Sequence, residues 1–259
     1  FCAEPGRARG GDTPAVACDH YHRMPEDVAM LGELGVDEYR FSISWSRVLP
    51  GGLRGADDEG VNRAGLDFYS RLVDELLSAG VAGAGVDLAE VFALLERDHR
   101  LLDKDILPWL TLYHWDLPQA LQDAGGWLER ATSEALGDYA ALLAETLGDR
   151  VTRWLTLNEM NVHTLYGHAL TDHAPALGMG LDCLPVAHNL LRAHGLAVDA
   201  IRGAARPAGG GGAGGGPLEV GVVQQHFPVL PATDSEEDTG AADLFRILTI
   251  WLFSDPILR

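Results

Sequence analysis

Between residues 151 and 161 the chain reads VTRWLTLNEMN, an apolar run that stops at an amide and a carboxylate side by side. Similar runs recur. Residues 38–45 set Tyr39, Phe41, Ile43 and Trp45 against polar neighbours, the period of two that predicts a strand. Residues 107–113 (LPWLTLY), 152–157 and 219–223 (EVGVV) predict three more. Between them, apolar residues fall at helical spacing. Residues 24–34 predict a helix with Pro25 near its first turn and Gly35 as its stop. Residues 62–79 predict a strongly amphipathic helix closed by Gly80. Residues 88–101, 128–147 and 186–201 predict further helices, and 234–253 holds a final one.

Strands and long helices therefore alternate at least four times, which is the pattern of βα units on a parallel sheet. A doubly wound sheet and a (β/α)8 barrel both fit it. No GxGxxG follows a strand and no GxxxxGK[ST] occurs, so nothing supports a phosphate-cradling loop. The segment 203–216 (GAARPAGGGGAGGG) reads as a surface loop within one domain, because a helix precedes it and a strand follows.

Composition narrows the function classes. The 259 residues carry 38 acidic against 19 basic side chains, a formal charge of −19, which argues against a nucleic-acid partner. No apolar run reaches the ~18 residues of a membrane span. Residues 1–20 are polar and Gly-rich rather than signal-like, and Cys2, Cys18 and Cys183 stand at no metal spacing. The expectation is a cytoplasmic protein with free thiols, no membrane partner and unknown oligomeric state. His20 and His22 in DHYHR lack a third ligand at a sensible spacing, so neither a metal nor a cofactor is expected.

Three predicted strands end alike: FSISWSR at 41–47, LYHWD at 112–116 and LNE at 157–159. In parallel α/β folds function collects at the C-terminal ends of strands. Tryptophan faces stack on the apolar C–H faces of a sugar ring, while His, Asn and carboxylates bond its hydroxyls. The three ends therefore predict one shared, sugar-binding cleft.

The chain resembles the family 1 glycoside hydrolases, the β-glucosidases and their relatives. The resemblance rests on the segment from FCAEPGRARGGDTPAVACDHYHRM through EYRFSISWSRVLP, on ILPWLTLYHWDLPQALQDAGGWL, on VTRWLTLNEMN, on HNLLRAHGLAV and on WLFSDPIL. It implies a (β/α)8 TIM barrel, incomplete here: these segments are similar to strands two to five, with strand one and strands six to eight absent. It also implies a retaining β-glucosidase acting on terminal β-D-glucosyl residues of small β-glucosides. Glu159 inherits the role of general acid/base. Asn158 would bond the sugar 2-hydroxyl and His114 the 3-hydroxyl. Trp115 would line the cleft, and Arg40 would sit beneath the nucleophile.

The family's nucleophile lies in an [IV]TENG motif on strand seven and a sugar-binding Gln in a QIEG motif on strand one. Neither motif is in the chain. The isolated chain is therefore expected to show no turnover, and a truncated, non-catalytic sugar-binding or interaction fragment is the alternative. A related glycone specificity, such as galactoside, fucoside or 6-phosphoglucoside, stays open. Met160 stands where relatives have Pro, and Gln225 where they have Asn. The expected domain is 1–259, with an insertion at about 81–105. Trp45 could pack in the core or touch sugar.

Overall fold

The computed structural model of the chain describes residues 4–82, 105–205 and 217–258. Helix α1 (His20–Glu33) leads into strand β1 (Glu38–Ser42), the short helix α2 (Trp45–Val48) and the long helix α3 (Arg63–Ala82). Strand β2 (Leu107–Tyr113) is followed by α4 (Gln119–Asp123) and α5 (Arg130–Leu147). Strand β3 (Arg153–Asn158) runs through a helical turn at Met160–Val162 and a π-helical segment, His163–Ala169, to α6 (Leu184–Ala204). Strand β4 (Glu219–Val223) precedes α7 (Glu236–Arg246), a π-helical segment at Ile247–Trp251 and α8 (Leu252–Leu258).

The strands form one parallel sheet in the order β1-β2-β3-β4. That order separates the two topologies left open by the sequence pattern. A doubly wound sheet reverses its strand order at a switch point, whereas a barrel adds each strand beside the last. Here no reversal occurs, and the four βα units form an incomplete barrel. The inner strands are the most apolar, as parallel strands covered on both faces must be: Leu110, Leu112, Trp154 and Leu157 are all fully buried.

At the starting end of the sheet one side chain touches all four strands. Arg153 of β3 pairs with Glu38 of β1 at 2.6 Å and with Glu219 of β4 at 3.5 Å. Its guanidinium lies 5.3 Å from the ring centroid of Trp109 on β2, and the Trp109 indole N–H donates to Glu38 at 2.9 Å. Outside the sheet, α5 packs along α6. Gly137 permits the approach, since a Cβ there would lie 3.3 Å from the Leu196 Cβ. Under the opposite strand end, Trp45 is fully buried, stacked on Tyr139 of α5 with centroids 5.2 Å apart and planes 5° from parallel. The Tyr139 hydroxyl donates to the Ile43 carbonyl at 3.2 Å.

Boundaries differ from the sequence expectation for identifiable reasons. The strand predicted over 38–45 ends at Ser42, because the Ser44 hydroxyl accepts the Arg47 N–H and caps α2, taking Trp45 into a helix. Helix α1 begins at His20 rather than 24, and α3 runs past Gly80 to Ala82. The helix predicted from 128 starts at Arg130, after a 3₁₀ turn at Gly126–Leu128. The single helix predicted within 234–253 is broken by a π-helical segment. The helix predicted over 88–101, nearly all of the 81–105 insertion and the glycine run from 206 onward lie outside the described residues.

Trp45→Ala removes the fully buried indole stacked on Tyr139 and should cost about 3–5 kcal/mol, read as a lowered urea midpoint. Among the described residues β1 and β4 each pair on one side only. Sedimentation velocity of the isolated chain should therefore show association that grows with concentration, and a monomer at every concentration would contradict this.

Candidate active site

The parallel register brings the C-terminal ends of the strands level, and a single cation links three of them. Arg40 of β1 donates through Nε to the Thr111 hydroxyl of β2 at 2.9 Å and through Nη2 to Asn158 Oδ1 of β3 at 2.5 Å. The Ser42 hydroxyl lies 3.2 Å from His114 Nδ1. The Trp115 indole N–H donates to the Asn158 carbonyl at 2.8 Å, closing the loop after β2 over the end of β3. Glu159 follows at once. Its N–H donates to the Val223 carbonyl of β4 at 2.8 Å and its carbonyl accepts the His163 N–H at 3.0 Å. The backbone of Glu159 is thus fixed between strand and helix.

Two of these residues occupy backbone space that side chains with a Cβ avoid. Trp115 has φ +75° and Glu159 has φ +46°. Each such conformation costs on the order of 1–3 kcal/mol and persists only where surrounding contacts enforce it. Here the enforcing contacts are the bonds to Asn158, Val223 and His163 just described.

The charges interact. Burial lowers the pKa of Arg40, and the Glu159 carboxylate opposes this. Burial also lowers the pKa of His114, helped by the Arg40 guanidinium and opposed by Glu159. His114 is therefore neutral near pH 7, with one ring nitrogen facing Ser42 and the other able to bond a ligand.

A second polar layer lies deeper. The Trp127 indole N–H donates to the Tyr113 hydroxyl at 3.0 Å, leaving that hydroxyl's own proton for His163 Nε2 at 3.1 Å. His163 stacks against Trp115, with centroids 6.0 Å apart and planes 14° from parallel. Burial holds the His163 pKa well below its ordinary value. Asp116 is half-buried with one carboxyl oxygen enclosed, and this burial lifts its carboxyl to about 6. A cavity of about 290 Å³ opens beside Trp115, walled by Tyr113, Trp127, His163 and Pro175. His114, Asn158 and Glu159 do not line it.

All five residues singled out from the sequence, Arg40, His114, Trp115, Asn158 and Glu159, lie in this one cluster. Trp45 does not, since it is sealed under the sheet. His20 and His22 do not converge: each bonds its own carboxylate, Asp27 and Asp19, at 2.6 Å. Among the described residues no group of three or more His, Cys, Asp or Glu is arranged to hold a metal ion. No helix among them is long and apolar enough to cross a membrane. Gln225 accepts the Asn161 side-chain N–H through its backbone carbonyl at 2.9 Å. Sequence reasoning missed Thr111, Ser42, Asp116 and His163. Thr111 had a signal, as a lone polar residue inside the apolar run LPWLTLY. His163 had none, because its partners across the fold, Tyr113 and Trp115, lie far away in the chain.

Comparison with known proteins follows the same geometry. The family model for glycosyl hydrolase family 1 matches residues 1–86 and 96–259. β-Glucosidase A of Thermotoga maritima is 38% identical over 260 residues, covering 100% of this chain and 49% of its own length. The solved structure of β-glucosidase from Thermotoga maritima in complex with deoxynojirimycin superposes with a TM-score of 0.76 at 38% identity, over 96% of this chain and 47% of that one. A psychrophilic β-glucosidase from Micrococcus antarcticus gives a TM-score of 0.81 at 40% identity, over 100% of this chain and 46% of that one. The chain thus spans about half the length of the relatives it matches.

The buried histidine makes a pH prediction. His163 is held neutral when folded, but the unfolded chain takes a proton near the ordinary histidine pKa of about 6.5. Acid then favours the unfolded state, so this contribution is complete above about pH 6.5 and is lost as pH falls. Asp116 acts in the opposite sense, because its folded pKa is raised. Urea midpoints measured between about pH 7 and pH 5 should fall more steeply for the wild type than for His163→Gln.

Proposed function

The chain belongs to glycosyl hydrolase family 1, and we propose that it carries the acid/base half of a retaining β-glucosidase. One observation carries this reading: Glu159, Asn158, His114 and Arg40 come from three adjacent strand ends and meet in a single hydrogen-bonded and electrostatically coupled cluster. Retaining hydrolysis needs two carboxyl groups about 5 Å apart, one to protonate the leaving oxygen and one to attack the anomeric carbon. Glu159 takes the first role. It gives its proton to the glycosidic oxygen as the aglycone leaves. It then removes a proton from the water that releases the sugar.

The neighbours have assigned tasks. Asn158 Oδ1 is occupied by Arg40, so its amide N–H groups are the part left to donate to the sugar 2-hydroxyl. His114 has Nδ1 against Ser42, which leaves Nε2 for the 3-hydroxyl. The Trp115 indole N–H is taken by the Asn158 carbonyl, so Trp115 contributes ring surface rather than a hydrogen bond. Arg40 holds positive charge under the cleft, where it favours carboxylates in their ionised form. The attacking carboxylate would come from strand seven of a completed barrel, as resemblance to the family implies.

A second reading has one specific observation behind it. The carboxylate that perturbs Arg40 is Glu159, and no second acid among the described residues does so. A chain with one carboxyl at the cleft binds sugar without cleaving it. The two readings separate when the chain is joined to strand one and strands six to eight of Thermotoga maritima β-glucosidase A. The completed barrel should release aglycone from an aryl β-glucoside, and Glu159→Gln should lower kcat by about 10²–10⁴-fold. The chain alone should give no turnover. Release by the chain alone, or an unimpaired Glu159→Gln barrel, would overturn the assignment. A completed barrel that binds glucoside and never turns over favours the second reading.

A further inference from the structure

The two π-helical segments, His163–Ala169 and Ile247–Trp251, are tied together by Asn161, whose side-chain N–H donates to the Thr249 carbonyl at 2.9 Å. Such π turns are rare and often mark functional sites. A cavity of about 170 Å³ lies against both. Thr164, Leu165 and Ala169 of the first segment and Leu248 of the second line it, with Phe253 of α8 and Cys183 of the 3₁₀ turn Gly180–Cys183. The exposed side chains of Leu170, Leu181 and Leu184 bring it to the surface. None of the cleft residues borders it.

One polar group in this lining is unsatisfied. Thr164 is 1% exposed, and its hydroxyl has no hydrogen-bond partner among the described residues. Threonines elsewhere in the chain bond the carbonyl one turn back, as Thr146 does to Leu142 at 2.8 Å and Thr249 to Phe245 at 2.7 Å. Thr164 does not. A buried water is a poor remedy, because it needs two to four polar partners. The lining side chains offer one hydroxyl and one weakly bonding thiol.

Charge and size then define the occupant. No charged side chain lines the cavity, and burial pushes the Cys183 thiol pKa up, so the thiol is neutral at pH 7. An ion would enter without a partner, and a hexose would bury several hydroxyls against leucine. A cavity of about 150 Å³ lined by Leu, Ile and Phe takes one benzene ring, so this one has room for a ring with a single substituent. We propose that the cavity binds a neutral single-ring phenol, its ring among Leu248, Leu252 and Phe253 and its hydroxyl bonded to that of Thr164. The site is independent of the glucosidase reading, since cavity and cleft share no residue.

The test uses the chain itself, labelled with ¹³C at the threonine methyls, with the Thr164 signal assigned by its loss in Thr164→Ser. Phenol should shift that signal with a dissociation constant of about 1 mM or below, a range open to so small a ligand. The signal of Thr111, which is bonded to Arg40 at the cleft, should stay in place. A Thr164 signal unmoved at ~10 mM phenol, or one that moves only together with Thr111, would overturn the proposal. Toluene, with a methyl in place of the hydroxyl, isolates the hydrogen bond. In Thr164→Val, which keeps the shape and loses the hydroxyl, the ratio of phenol to toluene affinity read by calorimetry should fall roughly five-fold, the scale of one neutral hydrogen bond. An unchanged ratio refutes the role of Thr164. Because Thr164→Val deletes an unpaired buried hydroxyl, it should fold at least as stably as the wild type. Should it not, Ala169→Leu serves instead. It fills the cavity, so phenol must no longer shift the Thr164 signal, and a shift that survives is equally fatal.

Discussion

The Arg40 guanidinium is where the register of the sheet becomes chemistry. A parallel sheet places equivalent positions of neighbouring strands level, and here Arg40 sits one strand away from Thr111 and two strands away from Asn158. Only a long side chain with several rigidly held donors can bond both at once, which lysine's single ammonium does less well. A slip of one residue in any pairing would turn the side chains to the other face. The cluster would then be lost even though every residue in it remained. The site is thus a consequence of pairing register, and Arg153 secures that register from the opposite end, where it touches all four strands.

The same bond sets the orientation of the groups around it. With its oxygen engaged by Arg40, Asn158 presents amide protons to the cleft, and its backbone carbonyl anchors Trp115. His114 is kept neutral by burial and by the adjacent cation, so it can donate or accept at low cost. Electrostatics and hydrogen bonding therefore agree on one arrangement, which is what a preorganised site requires. Each contributing group stands on a strand or within two residues of its end.

Much of this was legible in the chain before any coordinates. The apolar runs ending in LNE and YHWD predicted both the strands and the polar cluster, because buried parallel strands read as continuous apolar stretches and polar endings stand out against them. Strands β2 and β4 fall where the pattern put them. What was hidden follows from the same physics. The turn of FSISW into helix at Trp45 depends on one serine cap, which overrides an alternation that continues past it. The Trp127–Tyr113–His163 chain joins residues brought together only by the fold. Asp116 was legible only as the acid that closes YHWD, and its surroundings of tyrosines became visible only in the fold.

Backbone strain gives independent weight to the location of the site. Trp115 and Glu159 are both non-glycine residues held at positive φ, and they stand two residues and one residue past the end of an inner strand. Selection for stability alone would place glycine or asparagine at such turns, since they adopt this conformation at little cost. A tryptophan and a glutamate tolerate it only if the direction in which their side chains leave the backbone matters more than the energy lost. For Glu159 that direction is set by the Val223 and His163 bonds, and for Trp115 by the Asn158 bond. The two strained residues thus share a support, Asn158, which precedes one in sequence and anchors the other. Loosening that support would relax both at once, so the stability of the turn and the geometry of the cleft cannot be varied independently.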